Sequence, residues 1–417
     1  MKVSESFIEG RGEKFCRGCL GTQLFSGLDL GDLPIANELV HSNDVRIEKY
    51  PLHLKICPEC GLGQVADVVT PERIFVDYRY LSSMSTTFLK HAADFVQEFV
   101  SKSEFEPRDW VLEIASNDGY LLKNLIPLGI TAVGVEPAEN VAKISRSLGI
   151  ETISEFFSSK LASRLVSERG YPKLIIANNV MAHVPDLIDF VQGLGILCGP
   201  MTRISIENPS LTNILIDMQF DTIYHEHYSY LSATSVANIC QKERLLLFKV
   251  EKISVHGGSN RYWLRRESEN ELIDESVTIN CNFENQCGLF SFQEWKKFSI
   301  QVSTILDNFR AWLQDGKLRG KRIFGYGAAA KASTLLNSMQ SDAKIVIAIA
   351  DLSPEKQGRF MPVEGIPIIS PNMLLEEAPT DIVIFPWNIK KEIAQYLRSN
   401  LSNEVKLWCV IPQLGEV

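Results

Sequence analysis

The sequence WVLEIASNDG at residues 110–119 decides the fold of this chain. Its first five residues form an apolar run interrupted by one carboxylate, which predicts a short buried strand, and its last five are typical of a turn. Residues 120–125 then predict the start of a helix, residues 132–136 a second strand with a helix after Pro137, and residues 174–177 a third strand. Strands that alternate with helices predict an α/β fold with a parallel, doubly wound sheet.

Polar residues stand where these strands end, which is where such sheets bind their ligands. Gly119 lets the backbone approach a ligand closely. Glu136, one strand-helix-strand step after Glu113, is placed to accept hydrogen bonds from both hydroxyls of a ribose. This pattern alone suits NAD and S-adenosylmethionine equally well. The turn lacks the G-x-G that packs a pyrophosphate on a helix N-terminus, so a ligand without phosphates, such as S-adenosylmethionine, fits better.

A second informative stretch is DTIYHEHYSY at residues 221–230, which places two of the chain's seven histidines beside a carboxylate and several phenols. Such side chains give or take protons, and a histidine does so near neutral pH. The alternative is a polar loop whose histidines make ordinary hydrogen bonds. A metal site at His225 and His227 is disfavoured because no third ligand lies nearby.

Four of the nine cysteines form two Cys-x-x-Cys pairs, Cys16 with Cys19 and Cys57 with Cys60. Two such pairs predict a structural zinc site, in which four thiolates leave no position open for a substrate. The gap between the pairs is longer than is usual for a zinc ribbon, and two unrelated thiol pairs are the alternative. The other five cysteines are scattered, which fits a reducing compartment.

The glycine-rich sequence GYGAAAK at residues 325–331 predicts a turn that enters a helix. Four strands and a preceding helix are predicted around it, at residues 322–324, 345–350, 382–385 and 407–411 and at residues 293–313. The turn has the spacing G-x-G-x-x-A, and Asp351 ends the next strand, but a tight strand-to-helix turn explains the same pattern. The segment is short for a complete dinucleotide-binding domain, which needs two such halves.

The composition describes a soluble globular chain of 417 residues with 45% hydrophobic and 22% charged residues. We predict three domains, at residues 1–75, 76–275 and 276–417. The net charge of −9 argues against a nucleic-acid partner, although it leaves room for a local basic pocket. The N-terminus lacks the apolar core of a signal peptide, and no apolar run is long enough to span a bilayer, so we expect no membrane partner and a cytoplasmic location.

Taken together, these stretches resemble the S-adenosylmethionine-dependent C-methyltransferases of nucleotide-linked 4-keto-deoxysugars, among them the C-3 methyltransferases of dTDP-linked sugars. The resemblance runs nearly end to end, and the order of the motifs is more specific than any one of them. It also includes CGLGQ (60–64), DYRYLS (77–82), GVEPAEN (134–140), NNVMAHVPDL (178–187), HGGSNR (256–261) and FPWN (385–388). The resemblance implies a class I methyltransferase sheet, an N-terminal zinc-binding domain and a C-terminal Rossmann-like domain.

The resemblance also implies roles for single residues. Zinc would be held by the four paired cysteines. The cofactor S-adenosylmethionine would lie against Glu113, Ala115, Asn117, Asp118, Gly119, Glu136, Pro137, Asn178 and Asn179. The general base would be His227, and neighbouring active-site positions would be Tyr224, Glu226, His183 and Tyr78. The C-terminal glycine turn would have no redox role and would help to hold the sugar nucleotide.

The chemistry of such a reaction is consistent with these groups. A histidine can deprotonate a carbon beside a ketone once the enolate oxygen is stabilised. His227 would be the base, with Glu226 or a tyrosine orienting it. The donor to the enolate oxygen is Tyr224, Tyr78 or His183, and the sequence does not rank them.

A purely structural role is the alternative for several of these residues. His183 could only cap a turn, Tyr78 and Tyr80 could only pack together, and residues 256–259 could be a plain turn. His225 would point away from His227 if the segment is extended, because alternate residues of a strand face opposite sides.

Two other functions remain open from the sequence. One is an NAD-dependent oxidoreductase or epimerase that uses the glycine turn; the missing second half of that fold and the lack of a Tyr-x-x-x-Lys pair disfavour it. The other is a non-catalytic zinc-ribbon scaffold. The sugar, its nucleotide (dTDP or GDP) and the methylated carbon are not determined.

Overall fold

The computed structural model describes residues 11–42, 47–66, 69–75, 81–84, 86–254, 257–268, 272–363, 365–402 and 404–417. The chain divides into two compact units, each built from separated segments. Unit 1 comprises the described part of Met1–Leu24 together with Cys57–Ser210 and Tyr228–Phe290, and unit 2 comprises Phe25–Ile56, Leu211–His227 and Ser291–Val417. The division into three consecutive domains stays a prediction of the sequence.

Strands and helices alternate through most of the described residues. The strands are β1 (Phe25–Leu33), β2 (Tyr50–Ile56), β3 (Gly63–Gln64), β4 (Trp110–Ile114), β5 (Thr131–Val135), β6 (Glu151–Ile153), β7 (Leu174–Asn178), β8 (Arg203–Pro209), β9 (Ser229–Tyr230), β10 (Leu245–Ile253), β11 (Ser259–Arg266), β12 (Ile323–Tyr326), β13 (Ile349–Ala350), β14 (Ile368–Ile369), β15 (Asp381–Ile384), β16 (Lys406–Cys409) and β17 (Gly415–Glu416).

The helices are α1 (Arg11–Lys14), α2 (Pro71–Phe75), α3 (Thr86–Ser101), α4 (Glu139–Ser147), α5 (Ser159–Arg169), α6 (Leu187–Leu197), α7 (Leu211–Ile216), α8 (Ala233–Cys240), α9 (Glu275–Gln286), α10 (Phe292–Leu318), α11 (Ala330–Asn337), α12 (Pro371–Glu376) and α13 (Lys390–Asn400). Several short 3-10 helices lie between them. None of the helices in the described part of the chain is long and apolar enough to cross a membrane.

Unit 1 is built on a seven-stranded sheet with the order β10-β11-β8-β7-β4-β5-β6. The five strands from β8 to β6 are parallel, and β11 is antiparallel to its neighbours β8 and β10. Alternate residues of β4 enter different apolar clusters, Leu112 and Ile114 one and Val111 the other. Because both faces are buried, the predicted doubly wound sheet is confirmed, and its order is that of a class I methyltransferase.

The helix predicted to begin at residues 120–125 is wrong. Two 3-10 helices, Leu122–Asn124 and Ile126–Leu128, stand in its place. Pro127 has no N–H for an α-helical ladder and disfavours the helical conformation of the residue before it. Gly129 then takes a left-handed conformation with φ of 70° and ends the segment.

Unit 2 is built on a six-stranded sheet with the order β14-β13-β12-β15-β16-β17, parallel except for β17. Strands lie on both sides of β12, so the idea that this segment lacks a second half is wrong, while its Rossmann-like character is confirmed. The strand predicted at residues 345–350 is shorter, because Gln340–Ile345 forms a 3-10 helix. The hairpin of β1 and β2 also belongs to this unit, and Gly27 of β1 packs against Trp295 of α10.

Candidate active site

The loop after β4 holds an unusual backbone conformation at the switch point of the unit 1 sheet. Ala115 and Asn117 have φ of 57° and 49°, and Asn179, after the neighbouring β7, has φ of 52°. A residue with a Cβ in the left-handed region costs about 1–2 kcal/mol. Asparagine takes this conformation more readily than alanine, so the strain lies mainly at Ala115, and strain at a strand end is typical of a ligand site.

Glu136 ties this loop to the end of β5. Its Oε2 accepts a hydrogen bond from the Asn117 amide at 3.0 Å, and its Oε1 accepts one from the Ala138 amide at 2.9 Å. Burial raises the pKa of Glu136, against these two bonds. Each carboxylate oxygen has a second lone pair, so the bonds leave Glu136 able to accept from ribose hydroxyls.

Several polar atoms around this loop are buried without a hydrogen-bond partner among the described residues. They are Oε2 of Glu113, Oδ1 of Asp118 and Oδ1 of Asn178. Burial first, and then the charges of Asp118 and Glu136, hold the pKa of Glu113 well above its usual range. Buried polar atoms are rarely left unsatisfied in a folded protein. Three buried oxygens without partners indicate a ligand that offers several hydrogen-bond donors.

S-adenosylmethionine fits these acceptor oxygens better than NAD. It offers ribose hydroxyls, an ammonium group and a sulfonium cation. NAD carries a pyrophosphate, and its negative charges oppose the charge of an ionised carboxylate in the site. Gly119 also allows close packing, because a Cβ there would lie 2.5 Å from Ile150 Cδ1. Its close approach to a ligand stays a prediction.

The residues that precede α3 are fixed to the same loop. The Ser82 amide donates to Asn117 Oδ1 at 2.9 Å, and the Ser83 amide donates to Asp118 Oδ2 at 3.3 Å. Tyr78, which the sequence assigns to the active site, and its neighbour Tyr80 lie outside the described residues.

Two further predicted positions belong to unit 1. His183 ends the 3-10 helix Met181–His183, shortly after the strained Asn179, and is half-buried. Pro137 follows Glu136 and is half-buried too. His256 of the HGGSNR motif lies outside the described residues.

A tight turn in unit 2 brings Tyr224 and His227 together. The His227 amide donates to the Tyr224 carbonyl at 3.0 Å, and the two rings have centroids 4.1 Å apart. His227 Nδ1 lies 3.1 Å from the Thr222 carbonyl oxygen, and Nε2 lies 2.9 Å from the Tyr224 hydroxyl. A carbonyl oxygen only accepts, so Nδ1 carries the proton. In the neutral ring Nε2 is then the basic atom, and the Tyr224 hydroxyl donates to it.

The premise that this segment is extended is therefore wrong, since a turn and not a strand sets which residues are neighbours. His225 is buried, and its Nε2 donates to the carbonyl oxygens of Tyr50 at 3.1 Å and Pro51 at 3.3 Å. Burial lowers the pKa of His225. These contacts make His225 a structural residue at the edge of β2.

Glu226 has a partner that the sequence did not reveal. Both of its carboxylate oxygens lie 2.8 Å from Nδ2 of Asn37, which donates to them. Burial raises the pKa of Glu226 to about 7, and Asn37 partly opposes this. His227 is held by the Thr222 carbonyl and the Tyr224 hydroxyl, so of the two predicted orienting groups the geometry favours the tyrosine. No motif marks Asn37, which lies far from Glu226 in the chain.

The four paired cysteines meet in unit 1. Their Sγ atoms all lie within 4.8 Å of one another, with Cys16 and Cys60 at 3.4 Å and Cys19 and Cys57 at 3.5 Å. Tetrahedral zinc with Zn–S bonds of about 2.3 Å separates its sulfurs by about 3.8 Å, so the cluster fits this ion. The two neighbouring thiols Cys16 and Cys57, and then burial, raise the pKa of Cys60, a cost that a bound cation removes.

Arg17, inside the first cysteine pair, connects this cluster to the chain after the histidine turn. Its guanidinium donates to the carbonyl oxygens of Tyr228 and of Val65, the latter at 2.9 Å. The Tyr228 hydroxyl donates to the Val69 carbonyl at 2.6 Å. The zinc cluster therefore has a structural role, and it fixes the residue that follows His227.

The glycine turn of unit 2 is closely packed. A Cβ on Gly325 would lie 2.5 Å from Phe385, and a Cβ on Gly327, whose φ is 89°, would lie 2.3 Å from Pro386. Asp351 Oδ2 accepts a hydrogen bond from the Ala328 amide at 2.8 Å. The FPWN motif thus occupies the space beside these glycines, which explains both motifs without a bound dinucleotide.

Comparisons with known proteins agree with this arrangement. Three family models match in order: a zinc binding domain over residues 16–75, a methyltransferase domain over residues 85–243 and a C-methyltransferase C-terminal domain over residues 254–412. The chain is 27% identical over 400 residues to C-methyltransferase NovU from Streptomyces niveus, covering 95% of both.

Similar solved structures include magnesium protoporphyrin IX methyltransferase (ChlM) from Synechocystis PCC 6803, at 13% identity and a TM-score of 0.34, which covers 47% of this chain and 89% of that one. Another is a SAM-dependent methyltransferase from Anabaena variabilis, at 14% identity and a TM-score of 0.34, which covers 42% of this chain and 85% of that one. The fold assignment rests on the sheet order and the family models.

Proposed function

Because this chain is an S-adenosylmethionine-dependent C-methyltransferase with an N-terminal zinc-binding domain, we propose that it methylates the carbon beside the ketone of a nucleotide-linked 4-keto-deoxysugar. The observation that carries the proposal is the pairing of His227 Nε2 with the Tyr224 hydroxyl at 2.9 Å. The substrate class rests on the resemblance of the motifs, and the proton transfer rests on this pairing.

The pairing offers a base and a hydrogen-bond donor side by side. A ketone presents its oxygen and the hydrogen on its α-carbon three bonds apart, so one substrate can meet both groups at once. His227 Nε2 takes the α proton, the carbonyl π electrons move onto oxygen, and the Tyr224 hydroxyl turns from Nε2 to donate to that oxygen. A base and an oxyanion donor of this kind are what enolisation requires.

This geometry supports Tyr224 as the donor among the three residues that the sequence left unranked. His183 and Tyr78 stay predicted active-site residues and alternative donors to the enolate oxygen. When bound, S-adenosylmethionine supplies a sulfonium methyl that the enolate carbon can take up, with the sulfonium becoming a neutral thioether. His227 then gives the proton on Nε2 to solvent, whereas the other proton stays on Nδ1, which donates to the Thr222 carbonyl.

The methyl donor is assigned to the strained loop of unit 1. We assign its ribose to Glu136 and its cationic part to the carboxyl groups near Ala115 to Gly119, with Asn178 and Asn179 at the neighbouring strand end. The unsatisfied oxygens of Glu113, Asp118 and Asn178 support this assignment. Zinc at the four cysteines has no part in the chemistry.

The test is mass spectrometry of a panel of dTDP- and GDP-linked 4-keto-deoxysugars after incubation with S-adenosylmethionine. One sugar should gain a single methyl group, and in D2O without the methyl donor the same sugar should exchange its α proton. His227→Asn should abolish both signals, whereas the control His53→Asn, a histidine on β2 in the same unit, should keep them.

Full turnover by His227→Asn would reject His227 as the base and favour either another base or a scaffold role. A titration of thermal stability with NADH and with S-adenosylmethionine separates the oxidoreductase: stabilisation by NADH alone would reject the methyltransferase proposal.

A further inference from the structure

The carbonyl group that fixes the His227 tautomer belongs to Thr222, and both chain neighbours of Thr222 are held by the C-terminal sheet of unit 2. Thr222 ends the 3-10 helix Phe220–Thr222. On one side, Trp387 Nε1 donates to Asp221 Oδ2 at 2.8 Å. On the other side, Thr334 Oγ1 donates to the Ile223 carbonyl at 3.1 Å. We call these two hydrogen bonds the Thr222 anchor.

Both donors belong to elements beside the two motifs of the C-terminal sheet that pack against each other. Thr334 lies on α11, which follows the glycine turn, and Trp387 belongs to the FPWN motif after β15. Gly327 and Pro386 pack together closely and keep the two motifs in contact. The packed turn thereby sets the distance between the two donors of the anchor.

Asp221 is a buried carboxylate whose hydrogen bonds are incomplete, which is unfavourable for a residue with only a structural role. It is buried, and its Oδ1 has no hydrogen-bond partner among the described residues. Burial raises the pKa of Asp221 to about 6, opposed by Lys331 and by the Trp387 bond. The Lys331 Nζ lies 4.0 Å from the centre of the Trp387 ring and donates to Asn388 at 3.0 Å. An incompletely satisfied buried carboxylate destabilises the fold.

A second cluster in the same unit also combines an aspartate with a tryptophan, a lysine and a threonine, but both of its carboxylate oxygens accept hydrogen bonds. Asp381 accepts at Oδ1 from Trp408 Nε1 at 2.8 Å and from Lys321 at 3.2 Å, and at Oδ2 from Thr380 at 2.8 Å. It lies at the beginning of β15, the opposite end of the sheet from the FPWN motif. Asp381 is a satisfied structural carboxylate, which makes it a matched reference for Asp221.

We propose that Asp221, Trp387 and Thr334 are positioning residues for the proton transfer. They hold the Thr222 carbonyl where it accepts from Nδ1 of His227, so that Nε2 is the atom left to take the substrate proton. This inference rests on the proposed function of His227 as the base. It gives the C-terminal sheet a task in the reaction that involves neither redox chemistry nor contact with the reacting atoms.

The test compares variants that remove one bond of the anchor with variants that remove the same group elsewhere. Thr334→Val and Trp387→Phe each delete a donor with little change of shape. Their controls are Thr304→Val, on an exposed face of α10, and Trp408→Phe, which breaks the reference cluster. Each protein is assayed with the most active sugar of the panel for kcat, KM and α-proton exchange in D2O.

We expect Thr334→Val and Trp387→Phe to lower kcat and the exchange rate about tenfold, since small misplacements of a catalytic group have effects of this size or more. KM should stay within about twofold because the anchor does not contact substrate. Asp221→Asn keeps an acceptor for Trp387 and should retain most activity, whereas Asp221→Ala should not. Unchanged kcat in both anchor variants, or an equal loss in Trp408→Phe, would overturn the proposal.

A second readout needs no turnover. Nitrogen NMR of histidine-labelled protein, with the His227 signals identified by their loss in His227→Asn, reports which ring nitrogen is protonated. The free enzyme and both controls should show the Nδ1–H form, and Thr334→Val should show a mixture of the two tautomers. An Nδ1–H form that persists in both anchor variants contradicts the anchor, whereas a failure of the sugar panel contradicts only the proposed function.

Discussion

The loop after β4 in unit 1 and the turn after β12 in unit 2 have the same position in their sheets but differ in backbone conformation and in packing. Each lies where a parallel strand has neighbours on both sides, and each donates a backbone hydrogen bond to an acidic residue after the next strand, Glu136 in one case and Asp351 in the other. The first carries left-handed Ala115 and Asn117 and has unsatisfied carboxyl oxygens nearby. The second has two glycines whose free space is filled by the FPWN motif.

The difference shows how a ligand-binding loop can be distinguished from a turn filled by packed side chains when the sequence pattern is the same. Strain at a residue with a Cβ, together with several buried oxygens without partners, is typical of a ligand site. Glycines beside a proline and a phenylalanine carry no such cost. Gly-x-Gly followed by an acidic residue therefore identifies a switch-point turn, and the surrounding side chains decide whether a ligand binds there.

The largest effect is expected from closing the space in the unit 2 turn. Gly327→Ala puts a Cβ 2.3 Å from Pro386 in a left-handed backbone, and we expect it to lower the free energy of unfolding by about 3 kcal/mol. Gly320 has a φ of 67°, and a Cβ there would meet open space. Gly320→Ala should therefore lower the free energy of unfolding by only about 1 kcal/mol. Urea titrations measure both. Equal losses would show that Pro386 does not restrict the turn.

A smaller effect, on the affinity for S-adenosylmethionine, is expected from replacing the acidic residue after the next strand in unit 1. Glu136→Gln removes a charged acceptor from the ribose and should weaken S-adenosylmethionine binding by about 2 kcal/mol, or about 30-fold in Kd. Asp351→Asn changes the corresponding residue of unit 2 and should leave this Kd unchanged. Isothermal titration calorimetry decides it, and equal affinity in the two variants would mean that the unit 1 loop does not bind the donor.

The two units should also differ in how the substitution of a carboxylate changes the pH dependence of stability. The folded pKa of Glu113 is raised, so the folded chain holds a proton that the unfolded chain releases, and stability falls as pH rises above the usual glutamate value near 4.5. Glu113→Gln should therefore be more stable than the parent at pH 8, by about 1 kcal/mol, and the gain should vanish below pH 4.5. Asp351→Asn should show no gain, because Asp351 accepts bonds from Ala328 and Ser353 amides. A gain that is constant with pH would contradict this.

The sequence predicts the sheets well because apolar runs that end in polar residues, as β4 and β7 do, need no knowledge of distant contacts. It predicts the four cysteines as a cluster because their spacing is local. The contacts of Glu226 with Asn37 and of Trp387 with Asp221 join residues more than 150 positions apart, and no local pattern reports them. The turn at Tyr224 to His227 was missed since it contains neither glycine nor proline.

The smallest effect should come from releasing the strain of the unit 1 loop. Ala115 has a φ of 57°, a conformation that glycine takes without strain. Ala115→Gly removes a left-handed penalty of about 1 kcal/mol but adds freedom to the unfolded chain, worth about 0.4–1 kcal/mol, so the apo protein should gain at most a few tenths. Thermal unfolding with and without S-adenosylmethionine measures it. Because the bound ligand holds the loop in either variant, the gain should be the same in both states; a gain confined to the apo form would mean that the ligand itself relaxes the strain at Ala115.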